Sequence, residues 1–151
     1  MRQLPLAILL LLTVAALPVR AASLDETAPD QQSIDALEAK ALAAQPREQC
    51  YLYAQLVHEM TEFTILQYAN GDGEKATALL KHIQIFAKKI HLSVSEDNKR
   101  LKDSEILLRH TAFRLNGILH NSTSEDRPLV EQTLALVNQA QSEALLQVFR
   151  K

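Results

Sequence analysis

Apolar residues recur along most of this chain at the spacing of a helix face. The clearest run passes through Ala76, Leu79, Leu80, Ile83, Phe86, Ala87, Ile90 and Val94, which fall in one stripe at about 100° per residue. Asp72 stands before it as a side-chain cap. Upstream, a helix is expected from about Arg47 to Tyr68, closed by Asn70-Gly71, because Gly readily takes the backbone conformation that ends a helix. Gln45-Pro46 parts it from a shorter helix that Ser33 caps and that reaches about Ala44, with Ile34, Leu37 and Ala41 on one side. Downstream, Leu101, Ser104, Leu108, Ala112, Leu115 and Leu119 predict a helix ending near His120. After a loop from Asn121 to Glu125, Asp126 and Pro128 open a last helix lined by Val130, Leu134, Val137, Ala144, Leu145 and Val148.

Four long helical segments with short connections predict an all-α, up-down-up-down four-helix bundle, with the first helix as a short extra member. Leu56, Ile83, Leu108 and Val137 are expected in its core. One boundary is open. Ser95 to Arg100 is polar but holds neither Gly nor Pro, so either Ser95 or Asp97 caps a new helix or the two helices run on as a single rod that needs a partner chain.

A second apolar stripe runs on the opposite faces. Tyr51, His58 and Ile65 recur every seven residues, Ile85 and Leu92 repeat the interval, and so do Ile106 and Phe113, flanked by His110 and Gly117. Only Leu146 continues it on the last helix. A lone bundle leaves such positions in water, so the surplus marks Tyr51, His58, Ile65, Ile85, Leu92, Ile106 and Phe113 as a candidate surface for a protein partner or a second copy. Phe113 is the expected anchor, with Gly117 one turn on leaving room for close approach.

The N-terminus changes the picture of where the chain works. Met1-Arg2-Gln3 is a short positive start, Leu4 to Leu17 is an apolar run, and Val19-Arg20-Ala21 fits a cleavage pattern. A run of 14 residues is shorter than the roughly 20 a bilayer span needs. Residues 1–21 are therefore expected to be a cleaved signal peptide, with a cut after Ala22 as the alternative, and the protein to be exported, periplasmic or extracellular. Residues 22–32 form a polar, acidic leader expected to be disordered, and 33–151 the bundle domain. Cys50 is the single cysteine, which excludes an internal disulfide and favours a buried thiol.

Without residues 1–21 the formal charge is -4, which gives no reason to expect nucleic-acid binding. The charge is uneven. Lys81 to Arg114 holds eight basic residues against four acids, a region that can face an anionic lipid headgroup or an acidic protein. Asn121-Ser122-Thr123 matches the glycosylation acceptor pattern, meaningful only in a eukaryotic secretory route.

Catalytic patterns are absent: no nucleophile elbow, phosphate loop or dinucleotide fingerprint occurs. His58-Glu59-Met60-Thr61-Glu62 is a fragment of a zinc helix in which His58 and Glu62 can share a face, but no third ligand follows from the sequence. Non-covalent haem between Met60 and His110 or His120 is a further arrangement a bundle core can hold. The expected function is thus a non-catalytic interaction or structural module without a cofactor. A metal- or haem-binding bundle and a secreted helical ligand are the alternatives.

Overall fold

The computed structural model describes residues 27–95 and 97–150. Five helices and no strand occur among the described residues: α1 (Gln31–Ala43), α2 (Pro46–Ala69), α3 (Gly73–Ser93), α4 (Leu101–Asn121) and α5 (Arg127–Val148). The expected signal peptide and the first five residues of the expected leader lie outside the described residues.

Local chemistry sets the helix ends. The cap of α1 is Asp30 rather than Ser33. Its carboxylate accepts the Ser33 N–H at 2.7 Å while the Ser33 hydroxyl accepts the Asp30 N–H at 3.1 Å. Two short polar side chains three residues apart satisfy each other's backbone donors, so the helix starts earlier and takes in Gln31 and Gln32. At the end of α2, the Gly71 N–H donates to the Tyr68 carbonyl at 3.1 Å and the Asp72 N–H to the Gln67 carbonyl at 2.9 Å. That paired closure needs a left-handed residue, and Gly71 supplies it with φ +78. Asp72 then caps α3 by accepting the Lys75 N–H at 3.0 Å.

The open boundary resolves as a break, but the residue at the head of α4 is Arg100, with no side-chain cap, rather than Ser95 or Asp97. Residues 94, 95 and 97–100 are not helical, and Arg100 takes a left-handed conformation, φ 56, where no Gly is present. Tertiary contacts hold this connection. The Lys99 N–H donates to the Arg47 carbonyl at 2.8 Å, the Lys99 ammonium pairs with Glu48 at 2.9 Å, and the Arg100 guanidinium lies 3.7 Å from the centroid of the Tyr51 ring.

Packing follows a pattern the connections alone do not dictate. α2 packs on α1, α3 and α4, and α5 packs on α3 and α4, whereas the consecutive α3 and α4 do not pack on each other. Leu56, Ile83, Leu108 and Val137 are fully buried in one cluster with Met60, Leu80, Ile90, Leu115 and Val130. Thr61, Thr64, Thr111 and Thr133 are buried too. Each donates its hydroxyl to the carbonyl four residues back, at 2.7 to 2.8 Å, so a polar side chain enters the core with its donor satisfied. Glu105 is buried as an acceptor for the Gln141 amide at 2.8 Å, tying α4 to α5.

Candidate functional site

A groove runs along the outer side of the contact between α2 and α4. It comprises two adjoining hollows of about 490 and 970 Å³ that share Ile65 and Arg114. The seven-residue interval of Tyr51, His58 and Ile65 places all three along the α2 wall, half-buried. The α4 wall is built by Leu107, His110, Arg114, Gly117 and Ile118. Thr27 to Asp30, leading into α1, border one end, and the turn from α4 to α5 borders the other.

Polar side chains fix the walls together. Arg114 Nε and Nη2 donate to the two carboxylate oxygens of Glu62 at 2.6 and 2.8 Å, a two-pronged pair that sets both side chains at the point where the hollows meet. His58 Nδ1 lies 3.1 Å from Thr111 Oγ1. Because the Thr111 hydroxyl donates to the Leu107 carbonyl, its oxygen accepts from His58, and the neutral imidazole carries its proton on Nδ1. Burial holds the His58 pKa below the ordinary value, against the opposing pull of the Glu62 carboxylate. Gly117 leaves a shelf in the groove: a Cβ placed there meets nothing within 4 Å. The neighbouring Tyr68 hydroxyl is buried without a hydrogen-bond partner among the described residues.

The groove gathers only part of the second stripe. Ile85 and Leu92 stand on the outward side of α3, 53% and 81% exposed. Phe113 is 76% exposed on α4 and lies outside the groove lining, with Ile106 half-buried on the same helix. Since α3 and α4 do not pack together, these residues form separate patches.

The candidate ligands are also dispersed. Both Glu62 oxygens are engaged by Arg114, and no group of three or more His, Cys, Asp or Glu side chains with metal-binding geometry occurs among the described residues. Met60 is fully buried in the core and lines neither hollow. His110 and His120 are exposed, and His120 Nδ1 lies 2.7 Å from the Asn116 carbonyl of its own helix. Cys50 is buried, and desolvation pushes its thiol up to about 11. Asn121 is exposed at the end of α4, where its amide donates to the Gly117 carbonyl at 3.0 Å.

Sequence reasoning missed Arg114, Thr111, Tyr68 and Ile118 as site residues. Arg114 and Thr111 find their α2 partners 52 and 53 residues away, so no local pattern announces them. Compared with family models, curated proteins and solved structures, the chain matches none.

Proposed function

We propose that this protein is an exported, non-catalytic interaction module whose binding element is the α2–α4 groove, taking an apolar helical segment of a partner protein. The supporting observation is the continuity of the two hollows through Ile65 and Arg114. Tyr51, Ile65, Leu66, Leu107 and Ile118 offer apolar surface there, and Glu59, Glu62, Arg114 and His110 offer polar groups beside it. Apolar side chains with polar groups beside them offer a groove both kinds of contact that an amphipathic helix makes. Export rests on the apolar run Leu4 to Leu17 and the small residues at Ala21 and Ala22.

The arrangement in this reading is two antiparallel hairpins laid side by side, an up-down-up-down bundle with α1 as the short extra helix. Its support is the order of the cross-helix pairs. Glu48–Lys99, His58–Thr111 and Glu62–Arg114 join α2 to α4 with residue numbers rising together. Gln84–Thr133 and His91–Glu143 do the same for α3 and α5. Parallel neighbours from separate hairpins leave a trough between them, bordered by residues 27–30 at one end and by the turn from α4 to α5 at the other.

The test is selection of helical peptides from a displayed library against the protein, followed by binding to Gly117→Trp. Gly117 lines the groove and a Cβ there meets nothing within 4 Å, so a Trp at this position is placed to obstruct the groove. Selected peptides with apolar residues at helical spacing, losing at least about tenfold in affinity for Gly117→Trp, are the expected result. Peptides that bind wild type and Gly117→Trp equally would remove the groove as the binding element.

A further inference from the structure

The outward face of α3 combines positive charge with exposed apolar side chains. Lys81, Ile85, Lys88 and Leu92 follow one another at intervals of four, three and four residues, with Lys89 beside them, on the side away from the buried Ile83, Ala87 and Ile90. All five are exposed, and Leu92 is the most exposed large apolar residue among those described. None of the three lysines makes an ion pair among the described residues. Nearby acids are engaged by α3's own histidines instead: Glu38 by His82 and Glu143 by His91. Glu74, seven residues before Lys81, bounds the cationic stretch.

We propose that this face of α3 rests on an anionic lipid surface, with Ile85 and Leu92 entering the boundary between headgroups and acyl chains and Lys81, Lys88 and Lys89 reaching the headgroup charge. Long ammonium side chains flanking an apolar line is the arrangement by which a helix lies in a membrane interface. A flat partner fits the shape as well. Neither of the two hollows of the α2–α4 groove includes an α3 residue, and the five side chains stand along one outward helix face, a ridge rather than a groove. A second copy fits poorly, because self-pairing along the ridge sets three unpaired lysines against the same three. The proposal is independent of the α2–α4 groove.

The experiment is flotation of the full chain with vesicles of phosphatidylcholine alone and of phosphatidylcholine mixed with phosphatidylglycerol. The apolar run Leu4 to Leu17 is common to every sample, so the preference for the anionic mixture is the readout. Each lysine close to a charged bilayer contributes about fivefold in partition. The triple variant Lys81→Gln, Lys88→Gln and Lys89→Gln should therefore lose at least about tenfold of that preference, and added salt should weaken wild-type binding. Ile85→Ser with Leu92→Ser should weaken binding at unchanged helical circular dichroism. No preference for the anionic vesicles, or the same preference in the triple variant, overturns the proposal. So does retention on immobilised polyglutamate without flotation, which assigns the face to an acidic protein. Lysine-dependent dimerisation without lipid preference assigns it to a second copy and equally overturns it.

Discussion

At the scale of single residues, burial and hydrogen bonding separate side chains that the pattern of apolar positions treats alike. Ile83 is fully buried in the core cluster, on a helix that packs on α2 and α5, so Ile83→Ala should lose about 2–5 kcal/mol of stability in denaturant melts. A loss under about 1 kcal/mol would place it outside the core. His58 carries a pH signature. Burial depresses its folded pKa below the ordinary 6.5, so the unfolded chain takes up its proton first as the pH falls. The stabilisation is complete above about 6.5 and is lost as the pH drops through the folded value. In His58→Gln the melts should lose that part of the slope below about pH 6.5, and an unchanged slope would show that His58 titrates alike in both states. Leu56, Ile83, Leu108 and Val137 were legible as core because periodicity reports which side of a helix turns inward. The buried Thr61, Thr111 and Thr133 were not, since a hydroxyl satisfied by its own helix is invisible to an apolar pattern.

At the scale of the helix, Gly71 and Gly117 should respond in opposite directions to substitution. Gly71 holds φ +78 in the closure of α2, and Gly71→Ala should destabilise by about 1–2 kcal/mol because a Cβ is unfavourable there. Gly117 lies inside α4 with open space around it. Gly117→Ala should therefore stabilise by about 0.5–1 kcal/mol through backbone entropy and helix propensity. Thermal melts of the pair decide this, and two shifts of the same sign would contradict the assigned backbone conformations. The end of α2 and the cap of α3 were readable because Asn70, Gly71 and Asp72 act within a few residues. The break before α4 was not readable, because what holds Lys99 and Arg100 in place comes from Arg47, Glu48 and Tyr51 on another helix.

At the scale of the whole molecule, the second stripe divides. Phe113 reads from the sequence as the anchor of one contact surface, yet it stands exposed on α4, apart from Ile85 and Leu92 on α3. Phe113→Asp should melt within about 0.5 kcal/mol of wild type and leave peptide binding in the groove intact, and a loss above about 2 kcal/mol would show it to be packed. The amino-acid sequence by itself determined the helical class, most helix ends and the inward faces, because caps and the 3.6-residue period are short-range. Only the tertiary structure decided which helices are neighbours, and with that the groove, the engagement of Glu62 by Arg114 and the isolation of α3's outer face. The physical reason is range: a helix knows its own buried side from its own residues, whereas its neighbour is selected by contacts between segments some fifty residues apart.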